Sequence, residues 1–249
     1  MDTMIVAQVD TKTRAVKMIS IPRDLFVDGR KLNSYSTEQI KKYLGTITGL
    51  HIDHHMIIDM YAYIEVVDIL GGIDVYLSQA VVDPTYKTID NGVEGTLNYQ
   101  PGWHHFSGVQ SLRIARSRHT SSDFVRSERQ QEILKALKKK IGELNVTNGA
   151  EVLKIANTIL SKLDTDMSLK DIMTYQLKFK TFEVKPRGGL STGNVLASEM
   201  YVSPAAQAAA DTTCQDPEGN CPEPKAAYIL KPAKDWNAVR WYVGELLKD

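Results

Sequence analysis

The chain has no charge excess of either sign: 30 Lys and Arg balance 30 Asp and Glu over 249 residues. A general nucleic-acid binder carries a basic surplus, so nucleic acid is not an expected partner, although local anion sites remain open. No run of about 18 apolar residues occurs, so nothing in this sequence reads as a transmembrane helix. No Gly-x-x-x-x-Gly-Lys-Ser/Thr loop is present to cradle nucleotide phosphates, which argues against an ATP-type site. A Gly-x-Ser-x-Gly elbow and a Cys/His nucleophile arrangement are also missing, so nothing points to a covalent intermediate. Cysteine is scarce. Cys214 and Cys221 lie in a polar, turn-rich stretch, where a local disulfide is expected, implying an oxidising compartment. A zinc site would need two further ligands, and His54-His55 and His104-His105 are isolated pairs. What is present is ordinary globular composition, 43% hydrophobic and 24% charged, with sixteen Gly and nine Pro.

Met4–Val9 and Val16–Ile21 are strand-like and joined by Asp10-Thr11-Lys12-Thr13-Arg14, a hairpin signal. Antiparallel pairing sets the start of the first strand beside the end of the second, so Asp2 is expected near Pro22-Arg23-Asp24. Pro22 cannot continue the ladder. Lys31-Leu32-Asn33 reads as extended. Ser36 or Thr37 then caps a helix over Glu38–Leu44, stopped by Gly45. His54–Asp59 reads as a buried strand, Tyr61–Leu70 as a helix ended by Gly71-Gly72, and Ile73–Leu77 as a strand. Val81–Trp103 is a long excursion. Ser107 caps a short helix over Gly108–Ile114. Asn148 and Ser168 cap helices over Ala150–Leu163 and Leu169–Leu177, followed by a strand over Thr181–Val184 and a loop over Gly188–Thr192. Ser203–Pro224 reads as a surface excursion carrying the cysteines, and Ala227–Leu230 as an edge strand. Asp235 caps a final amphipathic helix through Leu247. Strands alternating with helices predict an α/β fold of three layers, α/β/α, whose central sheet is flanked by helices. The hairpin makes that sheet mixed. One domain is expected over 1–249, with its core over about 2–185 and a C-terminal extension over 186–249. The first residues enter a strand at once, with no signal peptide, and we expect sequence upstream of it.

The densest signal is the segment from Arg116 to Gln131. Arg116 and Arg118 are two apart, which in extended chain puts them on one face roughly 6.8 Å apart. Ser121-Ser122-Asp123 are N-cap residue types. Arg126 and Gln130 are four apart and stack on one helix face. Ile133, Leu134, Leu137, Ile141 and Leu144 continue that face as an apolar stripe, so the arginine face is expected to turn inward. Lys135, Lys138 and Lys139 read as ordinary surface. The bland reading of the arginines is structural salt bridges; the functional one is a shaped anion site. With Asp2, Arg23 and Asp24 added by the hairpin, the set suits a pyrophosphate. A carboxylate beside it suits Mg²⁺, which takes one or two carboxylates plus phosphate oxygens.

These pieces resemble the LytR-CpsA-Psr family of bacterial cell-wall phosphotransferases. The resemblance is carried by Asp2-Thr3-Met4, Ser20-Ile21-Pro22-Arg23-Asp24, Lys31-Leu32-Asn33, Leu70-Gly71-Gly72-Ile73-Asp74-Val75, and Ala115-Arg116-Ser117-Arg118-His119-Thr120 with Asp123, Arg126, Arg129 and Gln130. It covers about residues 2 to 185. It implies an extracytoplasmic, membrane-anchored enzyme that moves a glycopolymer from a polyprenyl-pyrophosphate lipid to peptidoglycan at the membrane surface, with Mg²⁺ as cofactor. Arg23, Arg116, Arg118, Arg126 and Gln130 would bind the pyrophosphate. Asp2 would hold the metal or help to activate the acceptor hydroxyl, and Asp24 would orient Arg23. The lipid would lie in an apolar tunnel between sheet and helices. The family's preceding Gly-x-Asp strand and transmembrane anchor do not occur in this sequence, and both are expected upstream. A pyrophosphatase acting on the same lipid and a non-catalytic lipid-binding or regulatory protein are the competing readings.

Overall fold

The computed structural model describes residues 3–90, 92–117, 123–143, 149–213 and 223–248. The chain opens with β1 (Met4–Asp10) and β2 (Ala15–Ile21), then the short strands β3 (Phe26–Val27) and β4 (Arg30–Lys31), a 3-10 turn over Leu32–Ser34, and α1 (Thr37–Thr48). Next come β5 (Met56–Ile57), α2 (Met60–Ile69), β6 (Ile73–Leu77), β7 (Val81–Asp90), β8 (Val93–Tyr99) and β9 (Gly102–Phe106). Three helices follow, α3 (Gly108–Arg116), α4 (Asp123–Gly142) and α5 (Gly149–Leu160), then β10 (Asp164–Thr165), α6 (Leu169–Phe179) and β11 (Glu183–Gly189). The chain closes with β12 (Leu196–Tyr201), α7 (Pro204–Thr213), β13 (Ala227–Pro232) and α8 (Trp236–Leu247). The α/β class holds. Among the described residues the strands form one three-stranded sheet, ordered β1-β2-β11, and five two-stranded ladders.

By its contacts the chain gathers into two compact units. One is Met1–Val6, Ser20–His51 and Leu190–Asp249; the other is Ala7–Ile19 and Ile52–Gly189. In the first, Ser36 and Gln39 form a reciprocal capping box that opens α1. The helix passes the expected stop at Gly45 and ends at Gly49, whose φ of 74° supplies the left-handed cap. Asp235 caps α8 through Ala238 N, and Arg240 Nη1 donates to the Thr46 carbonyl at 2.9 Å, tying α8 to the end of α1. Of Lys31-Leu32-Asn33 only Lys31 is extended, in β4: Leu32 is fully buried at the start of the 3-10 turn, with its N–H on the Leu25 carbonyl. Residues 203–213 are largely the helix α7 rather than an excursion, and β13 pairs with β12, a strand the sequence did not announce. Cys214 and Cys221 lie outside the described residues.

In the second unit the core gathers Val67 from α2, Ile73, Val75 and Leu77 from β6, Leu97 and Phe106 from the hairpins, Ile114 from α3, and Ile133 and Ala136 from α4. Each of these side chains apart from Ala136 contributes about 1.5–3 kcal/mol by its burial. Asp59 caps α2 through Ala62 N at 2.8 Å, and Gly71 and Gly72, both at positive φ, turn the chain straight into β6. The expected buried strand over His54–Asp59 shrinks to Met56–Ile57, with Met56 exposed. The excursion over Val81–Trp103 contains the long β7–β8 hairpin, and the strand expected over Thr181–Val184 is β11, which absorbs Gly188 and Gly189 from the expected loop.

Candidate anion site

Arg23 and Asp24 follow Pro22 in a tight turn held by its own backbone. Leu25 N donates to the Pro22 carbonyl at 3.3 Å, and Asn33 N to that of Arg23 at 3.2 Å. Asp24 lies 3.5 Å from Arg23 Nε and accepts from Lys31 Nζ at 2.7 Å. That arrangement can orient Arg23. It also commits the Asp24 carboxylate to two cations, Arg23 and the Lys31 of the Lys31-Leu32-Asn33 motif. Asp2, two residues before β1, lies outside the described residues, as does Arg118.

In the other unit, Arg116 is the last residue of α3, not part of an extended Arg-x-Arg. Ser107 and Gln110 form the capping box that starts this helix. At its end the guanidinium is exposed, near the negative end of the helix dipole. The chain leaves through Ser117, buried, whose hydroxyl donates to Asp83 Oδ2 at 3.0 Å. The other Asp83 oxygen accepts from Thr85 N, Thr85 Oγ1 and Tyr86 N. Helix ends leave carbonyls without intrahelical partners, and α4 supplies them here. Gln130 Nε2 donates to the Ala115 carbonyl at 3.0 Å, and Arg129 Nη2 to that of Ser117 at 2.7 Å. Gln130, expected on the ligand, thus fixes α3 against α4.

Arg129 was not among the expected ligand residues, yet it is the buried one. It is 7% exposed, and its Nε has no hydrogen-bond partner among the described residues. Burial, with Arg126 alongside, pulls its pKa below the ordinary guanidinium value. The inward face of α4 runs through Arg126, Arg129, Ile133 and Ala136, while Leu134, placed on the stripe by the sequence reading, is 36% exposed. Gln131 is fully buried and donates to the Gly188 carbonyl of β11 at 2.8 Å, one residue after a further half-buried arginine, Arg187. Only the Arg-x-x-Arg-Gln spacing could have singled out Arg129, as the i+3 neighbour of Arg126.

The LytR_cpsA_psr family model matches residues 1–210. The chain belongs to this family. It is 27% identical over 217 residues to the polyisoprenyl-teichoic acid–peptidoglycan teichoic acid transferase TagV of Bacillus subtilis, covering 82% of this chain and 53% of that protein. It is 28% identical over 210 residues to Biofilm regulatory protein A of Streptococcus mutans, covering 71% of this chain and 50% of that one. The chain therefore spans about half the length of the curated relatives it matches. The structure of the Lin1025 protein from Listeria innocua shares the fold, with a TM-score of 0.71 at 22% identity, over 99% of this chain and 93% of that one. In this LytR_cpsA_psr member a cavity of about 620 Å³ lies along α4, from Val125 and Arg129 to Gly142. Val75, Leu77 and Val81 form one wall and Phe182 and Val184 another. The helix rises roughly 25 Å over that stretch.

Proposed function

We propose that this chain is the catalytic part of a phosphotransferase that moves a glycopolymer from a polyprenyl-pyrophosphate lipid to peptidoglycan, at the outer face of the cell membrane. The observation that carries it is Arg129, a buried guanidinium with Arg126 at its side and no ion pair among the described residues. An uncompensated buried cation is costly, so a site that keeps Arg129 buried with a second arginine alongside is built to admit an anion. Guanidinium forks bind phosphate oxygens bidentately, and a pyrophosphate diester brings two negative charges. The apolar walls of the cavity along α4 suit a polyprenyl tail. A relative named as a teichoic acid transferase supports the same reading.

In the transfer, an acceptor sugar hydroxyl attacks the phosphorus that bears the glycan. The bond to the bridging oxygen breaks, polyprenyl phosphate leaves, and the hydroxyl proton passes to solvent. Arg126 and Arg129, with Arg116 and Arg118, would offset charge growing on the leaving phosphate. Mg²⁺ belongs to this proposal through Asp2. Among the described residues no group of three or more His, Cys, Asp and Glu is arranged to hold an ion, and the Asp24 carboxylate is engaged by Arg23 and Lys31. Labelled lipid-linked glycan, Mg²⁺ and peptidoglycan fragments incubated with the full-length protein are expected to give covalent transfer. Arg126→Ala should lower it by about 10²-fold, as for loss of a transition-state donor, and a chelator should abolish it. Release of lipid phosphate without transfer makes the protein a pyrophosphatase, and lipid binding without turnover makes it a carrier or regulator.

A further inference from the structure

The outer face of the β6–β9 ladder bears two consecutive cross-strand pairs, Asp74 opposite His105 and Tyr76 opposite Trp103. The alternate residues Ile73, Val75 and Leu77 point into the core, so the pleat sends Asp74 and Tyr76 outward. Trp103 is 69% exposed and Tyr76 49%. Their ring centroids are 5.5 Å apart with the planes at 61°. Asp74 Oδ1 lies 2.7 Å from His105 Nδ1. Lys139 of α4 completes a concavity of about 360 Å³ lined by Asp74, Trp103, His104 and His105. The seat of His105 depends on Gly72, where an added Cβ would lie 2.4 Å from His105 Nε2 and 2.9 Å from the Phe106 carbonyl oxygen.

We propose that this face is a binding subsite for a neutral pyranose oligosaccharide, with Trp103 and Tyr76 stacking on sugar C–H faces and Asp74, His105 and Lys139 bonding to hydroxyls. Aromatic rings rimmed by hydrogen-bonding groups match a ligand that is apolar on its faces and polar at its edges. A stable protein partner needs about 800 Å² per side, with an apolar centre, and here the row beside the two rings is a carboxylate paired with a histidine. His105, with Lys140 and Lys139 at longer range, holds the Asp74 carboxyl below its ordinary range, so it is an ionised acceptor for sugar hydroxyls. Lys139 stands ten residues along α4 from Arg129, about 15 Å of helix rise. Asp74, Tyr76, Trp103 and Lys139 also line the cavity along α4, so the subsite is a polar, aromatic end of that cavity, away from the reacting phosphate, and its existence does not depend on the transfer reaction.

Calorimetric titration of the full chain with a β-1,4-linked N-acetylglucosamine hexamer is expected to saturate. Trp103→Ala should weaken binding about tenfold, as loss of one stacked ring does. Trp103→Phe keeps a ring and should restore most of it. Arg126→Ala should leave it intact, which separates this subsite from the anion site. Parallel arms use a poly(glycerol phosphate) oligomer and phosphatidylglycerol vesicles. Absence of saturable hexamer binding overturns the proposal, as does hexamer binding indifferent to Trp103→Ala. So does a Trp103-dependent preference for the polyphosphate or the vesicles.

Discussion

Arg129→Met is expected to reduce glycan transfer by about 10²–10³-fold while leaving the protein as stable as before, or more so. The two halves have different physical causes. Without ligand, the guanidinium is 7% exposed, holds one carbonyl through Nη2, and has Arg126 beside it. Methionine of similar length removes one hydrogen bond from a charged donor, a loss of about 1.5–3 kcal/mol. It also removes the desolvation of a charge and a like-charge repulsion, which together offset that loss. In the proposed reaction the same guanidinium would donate to charge that grows on the pyrophosphate, and nothing in methionine replaces it. Arg129→Lys should fall between, since lysine keeps the charge but not the planar fork. The checks are urea midpoints and transfer rates on the same preparations. Collapse of stability together with activity would mean that Arg129 is a structural ion, and the anion site would lose its main support.

The residues that were legible from sequence are those whose local chemistry leaves little choice. The β1–β2 hairpin, the Ser107 and Ser168 capping boxes, the Asp235 cap, and the Gly71-Gly72 turn into β6 fell within a residue or two of expectation. Residues decided by partners far along the chain were not legible. β12 carries Glu199 and Ser198 on an exposed ladder and has no clean alternation; β13 defines it. β7 holds Pro84 and a register shift between Asp83 and Lys87, so it reads as an irregular stretch until β8 is seen beside it. The phase of α4 was missed for a related reason. Ile133 and Leu137 of the expected stripe do meet the core, but Leu134 is exposed, and packing against β6 and β11 buries Ala136 and Arg129 on that side instead. That rotation took Gln130 toward the end of α3 and brought Arg129 inside. The motif spacing singled out the segment, but which arginine is buried depended on tertiary contacts.

Gly108→Ala should cost about 3 kcal/mol, the upper range for overpacking a core. A Cβ at residue 108 would lie 2.3 Å from the Ile64 carbonyl oxygen, 2.7 Å from Ile64 Cα and 2.8 Å from Ile64 C. These are backbone atoms of α2 and cannot rotate away as a side-chain tip can. Gly108 N also donates to Asp68 Oδ1 at 2.7 Å, so the first turn of α3 is pinned to α2 and cannot simply drift outward. Its φ is not in the left-handed region, so alanine is acceptable to the backbone itself and the cost is one of space. The displaced helix is the one that ends at Arg116 and Ser117, so transfer activity should fall with stability, unlike in Arg129→Met. Gly244→Ala is the matching control. It lies inside α8 with nothing within 4 Å of the added Cβ, and the same substitution there should stabilise by about 0.5–1 kcal/mol through helix propensity. Urea unfolding of both variants gives the comparison. Opposite signs are expected, and an unchanged midpoint for Gly108→Ala would mean that α2 and α3 do not meet backbone to backbone at Ile64.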